Sequence, residues 1–234
     1  MDICTFSIPG GRSENEDRAS GGVLPKGFYL AVADGLGGHG RGAEAAEAVL
    51  QFMDRQLPDC TFSKESLRAL ITEANDHLLA ATAGKTTLSL IWCQGNTALA
   101  AHVGDSRIYL FRDEEILYQS RDHSVSQLAV AVGEITEQEI RGHADRNKLI
   151  RCLGSTSSGL PEIHELELQP GDGLLLCSDG FWEPLWEDEM LSTFKNTSTG
   201  ADWLNAMTGI ISGRLHDTSD NTTAAVTIYG RRNA

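Results

Sequence analysis

Four aspartates, Asp34, Asp105, Asp179 and Asp220, stand where short apolar runs end or begin. Three of them are followed directly by Gly or Asn: Asp34-Gly35, Asp179-Gly180 and Asp220-Asn221. Taken singly, each such pair is an ordinary turn signal. With Glu16 and Asp17 they make a set of six carboxylates that would meet if the strand ends converge. Such a cluster does not stay ionised alone, because like charges raise one another's pKa. It needs cations. Oxygen donors without a nearby Cys or paired His select Mg²⁺ or Mn²⁺ over zinc. Two such ions about 4 Å apart can activate a water and clamp a phosphate. Arg12, four residues before Glu16, offers a planar fork that matches phosphate oxygens, although alone it reads as a surface arginine.

Three other phosphate-handling patterns fail. Gly35-Leu36-Gly37-Gly38-His39-Gly40 satisfies G-x-G-x-x-G after an apolar run. However, Asp34 would put an anion against a pyrophosphate, and no strand–helix alternation follows. Gly84-Lys85-Thr86 resembles the end of a P-loop, but Leu79 stands where its first glycine belongs. None of the five cysteines (Cys4, Cys60, Cys93, Cys152, Cys177) has an Arg six residues on, so thiolate phosphatase chemistry is excluded.

The elements that must position these groups belong to a chain of 234 residues, long enough for one domain spanning 1–234 with its own core. Its composition, 41% hydrophobic and 22% charged, is that of a globular protein and not of a disordered chain. The net charge of −14 opposes binding to nucleic acid or to anionic lipid. No basic, apolar leader is visible, no run is long enough to span a membrane, and no C-x-x-C occurs. Reduced cysteines and a cytoplasmic location are expected.

Phe28–Ala33 reads as a buried strand running into the Asp34-Gly35 turn. Ala43–Leu57 and Lys64–Ala83 carry apolar residues at helical spacing, with Ser63 as N-cap of the second. Leu88–Cys93, Thr97–Val103 and Arg107–Phe111 read as a three-stranded meander, its turns at Gln94-Gly95-Asn96 and Gly104-Asp105-Ser106. Asp122–Gly154 is more polar and helical, and Thr136 with Glu139 makes a capping box. Leu174–Cys177 and Ala224–Tyr229 are strands, and Trp203–Ile211 lies on a helix. Strands in runs and helices in separate pairs predict an α+β fold with antiparallel sheets.

The ordered set of motifs resembles the metal-dependent protein serine/threonine phosphatases of the protein phosphatase 2C (PPM) family, in compact bacterial form. The segments are Arg12 to Asp17, Asp34 to Glu44, Val103 to Arg107, Arg121 to Ser124, Cys177 to Gly180 and Asp220 to Thr223. The resemblance implies a central antiparallel β-sandwich with helix pairs on both outer faces. It implies that Asp34 bridges two Mn²⁺ or Mg²⁺ ions, with the Gly35 carbonyl on one and Asp179 and Asp220 on the second. Glu16 and Asp17 match an acidic pair that orients waters on the metals, and Asp17 counts with the metal site. Asp105 matches a ligand of a third, weaker metal, and Arg12 matches the phosphate-binding, catalytic arginine. Residues 122–154 correspond to a flap beside the site. The implied reaction is direct attack of a metal-bridging hydroxide on phosphoserine or phosphothreonine.

Implied partners are phosphorylated proteins and a cognate kinase, with the chain acting as a monomer. Leu36 stands where some members have a His, so water is the expected source of the leaving-group proton. His39 is expected to be structural, Phe181-Trp182 to pack in the core, and Thr86-Thr87 to lie away from the carboxylates. An inactive regulatory module on the same fold is the alternative, but such a module need not keep its metal carboxylates, and all are present here. The acidic balance also predicts a preference for phosphosites flanked by Lys or Arg at low salt.

Overall fold

The computed structural model describes residues 2–36, 41–81, 84–156 and 160–230. In chain order its strands are β1 (Ile3–Ile8), β2 (Arg18–Leu24), β3 (Gly27–Ala33), the two-residue β4 (Gly35–Leu36) and β5 (Lys85–Thr86), β6 (Leu88–Gln94), β7 (Thr97–Val103), β8 (Arg107–Arg112), β9 (Glu115–Gln119), β10 (Glu162–Glu167), β11 (Gly173–Cys177) and β12 (Thr222–Ile228). The helices are α1 (Arg41–Gln56), α2 (Lys64–Ala81), α3 (Val125–Ala131), α4 (Asp179–Trp182), α5 (Glu187–Lys195) and α6 (Gly200–Ser212). Two five-stranded antiparallel sheets face each other, ordered β10-β7-β6-β3-β2 and β1-β12-β11-β8-β9.

Strand alternation explains why the apolar runs are continuous. On β3, Phe28, Leu30 and Val32 point into the layer between the sheets, where they meet Ile108, Leu110, Leu174 and Leu176. Tyr29, Ala31 and Ala33 point outward into the layer formed with α1 and α2, among Val49, Met53, Leu67 and Ile71. A strand buried on both faces has no polar face to show. The second sheet does the same. Tyr109, Phe111, Leu175 and Val226 pack outward against Met190 and Phe194 of α5 and Trp203 and Met207 of α6. The α+β sandwich between two helix pairs is thus the observed architecture.

The expected helix over Ala43–Leu57 occupies Arg41–Gln56, and the second runs Lys64–Ala81, with the Ser63 hydroxyl accepting from the Ser66 N–H. The capping box at Thr136 and Glu139 is present, on a 3₁₀ turn over Glu137–Gly142. One reading is corrected. β6 and β7 form the predicted hairpin, but β8 is not the third strand of a meander: it crosses to the other sheet and pairs with β11 and β9. Gly104 makes the crossing, with φ of +112°. A Cβ there would lie 2.6 Å from the Thr87 side chain, so both conformation and space require glycine. The strand β11 ends before Ser178-Asp179-Gly180, as expected, and these residues open the short helix α4.

Antiparallel pairing decides where the aspartates meet. β3 and β7 both pair antiparallel with β6, so they run the same way and end together. β11 ends where β12 begins, Cys177 opposite Ala224, and Ile8 at the end of β1 is opposite Thr222. One end of the sandwich therefore receives Asp34, Asp105, Asp179, Asp220 and the loop carrying Arg12 to Asp17.

Candidate active site

At that end lies a cleft of about 330 Å³ lined by Arg12, Glu16, Asp34, Gly35, Asp105, Asp179 and Asp220, among others. Asp17 stands behind the wall, 2% exposed, with its Oδ2 accepting from the Ser178 hydroxyl at 2.7 Å. Arg12, Glu16, Asp17, Asp34, Gly35, Asp105, Asp179 and Asp220 are thus brought to one place; His39 lies outside the described residues.

Each carboxylate is held by its backbone. The Asp34 N–H donates to Thr87 Oγ1 at 2.9 Å, and the Asp34 carbonyl accepts from the Thr87 N–H at 2.8 Å and from Thr86 Oγ1 at 2.9 Å. Thr87 Oγ1 lies 2.7 Å from Ser106 Oγ, which ties the Asp34 turn to the Asp105 turn. The Thr86-Thr87 pair thus does not lie away from the carboxylates; both threonines are fully buried and clamp two of them. A single sequence cannot show this, because the contact joins residues about fifty positions apart. Asn221 does the same for the acidic pair. Its Oδ1 accepts from the Glu16 N–H at 2.8 Å, and its Nδ2 donates to the Pro9 and Glu14 carbonyls. At Gly35 the chain passes so close to Gly42 that a Cβ would sit 2.3 Å from the Gly42 carbonyl.

The electrostatics are those of an uncompensated anion cluster. Burial first, then Asp17, Asp179, Asp105 and Asp220, pushes Asp34 well above the usual carboxylate range. Burial and then Asp105 and Asp220 do the same to Asp179. Burial raises Asp17 to about 6, against the opposing Ser178 hydrogen bond. Asp105 rises to about 7, mainly by burial and then by Asp122. Buried Glu16 Oε1 and Asp17 Oδ1 have no hydrogen-bond partner. Orphaned carboxylate oxygens among like charges, with neither Cys nor His among the described residues lining the cleft, fit hard divalent cations. Arg12 is the cationic side chain on this wall, its Nε and Nη2 on Asp220 at 3.1 and 2.8 Å and over half its side chain exposed.

The protein phosphatase 2C family model matches residues 11–212. The chain belongs to this family. It is 32% identical over 194 residues to the serine/threonine protein phosphatase PstP of Mycobacterium tuberculosis, covering 79% of this chain and 37% of that longer one. It is 31% identical over 181 residues to the protein phosphatase PhpP of Streptococcus pneumoniae, with 72% and 74% covered. The solved catalytic domain of PstP in complex with two manganese ions superposes with a TM-score of 0.82 at 27% identity, over 97% of each chain.

Within this family member, Asp105 rests on a pier of its own. Arg107 donates from Nε and Nη2 to the two Asp122 oxygens at 2.9 and 2.8 Å, both side chains 2% exposed. The guanidinium lies 3.5 Å from the centre of the Trp182 ring, whose Nε1 donates to the Asp105 carbonyl at 3.0 Å. Phe181 and Trp182 are core residues, as expected, and Trp182 also supports the Asp105 turn. The flap is stitched at its roots: the Ile150 N–H donates to the His123 carbonyl, and the Leu153 N–H to that of Thr86. Asn147 and Leu149 of the flap line the cleft, which sequence inspection did not single out.

A second group of possible metal donors, His102, His123 and Glu162, lies apart from the cleft. His102 Nε2 donates to the Arg121 carbonyl, leaving a bare lone pair on Nδ1. His123 Nδ1 accepts from the Gly104 N–H, so the neutral ring carries its proton on Nε2. With one imidazole lone pair instead of two, the group reads as two buried rings stacked 4.5 Å apart beside Glu162. Burial lowers the pKa of both rings, His123 to about 4, with His102 as the next cause there.

Proposed function

We propose that this chain is a Mn²⁺- or Mg²⁺-dependent phosphatase acting on phosphoserine and phosphothreonine in proteins. The observation that carries the reading is the convergence of five of these carboxylates and Arg12 on one cleft, with Asp17 buried behind its wall and orphaned oxygens on Glu16 and Asp17. Asp34 would be shared between two ions, joined by the Gly35 carbonyl on one and by Asp179 and Asp220 on the other. Asp105 would contribute to a third, weaker ion. When bound, such ions supply an activated water and neutralise the charge of the phosphoryl group. Glu16 and Asp17 orient water at the site, the Glu16 backbone fixed by Asn221 and the Asp17 carboxylate by the Ser178 hydroxyl. Arg12 binds phosphate oxygens through the guanidinium edge that Asp220 leaves open. Leu36 lines the cleft without a titratable proton, so the leaving alkoxide takes its proton from water.

The reading extends to the setting. Residues 1–234 act as one catalytic domain, monomeric, in the cytoplasm, opposite a Ser/Thr kinase, without nucleic-acid or membrane partners. Among the described residues no helix is long and apolar enough to cross a membrane. The test is hydrolysis of p-nitrophenyl phosphate and of a phosphothreonine peptide by purified protein. Both should require Mn²⁺ or Mg²⁺ and stop on chelation. Turnover that survives exhaustive chelation would overturn the metal mechanism. Hydrolysis of the small ester but of no phosphopeptide would move the substrate to small molecules.

A further inference from the structure

Beside the catalytic cleft lies a second depression of about 290 Å³ that shares Arg12, Asn147 and Asp220 with it. Its walls are the end of the flap, the Glu183-Pro184 step after α4, and the loop from Arg214 to Asp220. Four arginines line it, Arg12, Arg141, Arg146 and Arg214, against the carboxylates of Glu183 and Asp220. Each arginine is paired with a carboxylate, Asp220, Glu187, Glu183 and Glu189 in turn, so within a chain of net charge −14 the groove is locally balanced.

The arginines are not equivalent. Arg141 is built into the fold: its Nη2 donates to the Trp182 and Leu185 carbonyls and to Glu187, and its side chain is 9% exposed. Arg214 commits both terminal nitrogens, to the Pro184 carbonyl and to Glu189. Arg12 belongs to the cleft. Arg146 gives only its Nε, to Glu183 at 2.7 Å, and its side chain is about a third exposed. Its two terminal nitrogens, with four N–H donors, make no hydrogen bond among the described residues.

We propose that this groove receives an anionic side chain of the substrate, a carboxylate or second phosphate near the dephosphorylated residue, and that Arg146 reads it. The proposal rests on the phosphatase reading above. A peptide whose phosphoresidue occupies the cleft can leave across the shared rim of Arg12 and Asn147, and the groove is the continuation of that rim. A guanidinium with its terminal fork free is matched to a planar carboxylate or a phosphate. Contact at this distance outweighs the general acidic field of the chain, which salt screens over roughly 10 Å at 0.1 M.

The experiment uses the Mn²⁺-loaded enzyme and four peptides with the same phosphothreonine, flanked by Glu, by a second phosphoserine, by Ala or by Lys. At 0.1 M salt the Glu- and phosphoserine-flanked peptides should exceed the Ala-flanked one in kcat/KM by about three- to tenfold, mostly through KM. In Arg146→Gln that ratio should fall close to one, with Arg146→Lys between. The Arg146–Glu183 pair is partly buried, so p-nitrophenyl phosphate, which has no flanking residue, is used to report whether each variant is folded and metal-loaded. Preference for only one of the two anions assigns the groove to that anion. Equal kcat/KM for the Glu-, phosphoserine- and Ala-flanked peptides, a best rate on the Lys-flanked one, or a preference that survives Arg146→Gln would overturn the proposal. Absence of metal-dependent hydrolysis of every substrate by the wild type would overturn the phosphatase reading, and this inference with it.

Discussion

Two buried charged clusters stand next to each other at one end of the sandwich, and they solve burial in opposite ways. Arg107 and Asp122 pair fork to fork, roofed by Trp182, with both charges matched inside the protein. Asp17, Asp34, Asp105 and Asp179 instead gather like charges and hold protons well above the usual carboxylate range. The first cluster is complete when the chain folds. The second is completed only by cations from solution. The lesson is where function sits: the fold tolerates an unfavourable arrangement at the place where an outside group relieves it.

Breaking each cluster should therefore give opposite results. Asp34→Asn removes the proposed shared ligand and should reduce turnover by more than about 100-fold, since outer-shell changes alone cost 10–100-fold. The metal-free variant should melt no lower than metal-free wild type, because a like charge has been removed. A turnover near wild type would refute the assigned role. Arg107→Ala leaves Asp122 buried without its partner and should cost about 3–5 kcal/mol in denaturant unfolding. A loss below about 1 kcal/mol would show that the pier is not structural.

The comparison sharpens with pH. In chelator-treated protein the folded-state pKa values of Asp17 and Asp105, about 6 and about 7, exceed the ordinary value of 3.8. The folded state then holds more protons than the unfolded one between those values, so this cluster's contribution to stability falls as pH rises from about 4 to about 7. Mn²⁺ binds the deprotonated cluster, so the rise in melting temperature that it causes should grow over the same window. A Mn²⁺ effect independent of pH would contradict this. The smallest effect is expected at the clamp. Thr87→Val removes the hydroxyl between the Asp34 N–H and Ser106 and should cost about 1–2 kcal/mol, with weaker Mn²⁺ binding, read by calorimetry.

Much of this was legible beforehand. Strands buried on both faces write themselves as continuous apolar runs, and α1, α2 and α6 follow their 3.6-residue stripes. The carboxylates were legible because metal chemistry fixes residue type at turns, and those turns occur in a recognisable order. The meander was misread because a hairpin turn and a crossing between sheets share the same residues. Gly104-Asp105-Ser106 serves as either, and only the positive φ of Gly104 with the pairing of β8 to β11 decides. The Thr86-Thr87 clamp, the Asn221 brace and the Trp182 pier were invisible for a related reason. Each is a hydrogen bond or stacking contact between segments far apart in the chain, and no local pattern marks it.

By itself the sequence determined the chemistry on offer: six carboxylates at turns, Arg12 near two of them, no thiolate nucleophile with a phosphate-binding arginine, and an overall charge of −14. It also determined the alternation that makes two sheets with helices outside them. Only the tertiary structure decided that the strands carrying those aspartates end on the same side, through antiparallel pairing about β6 and between β11 and β12. It alone placed an arginine-rich groove against the cleft of an acidic protein. Net charge is a sum over residues, whereas a substrate meets the few side chains that folding brings within contact distance.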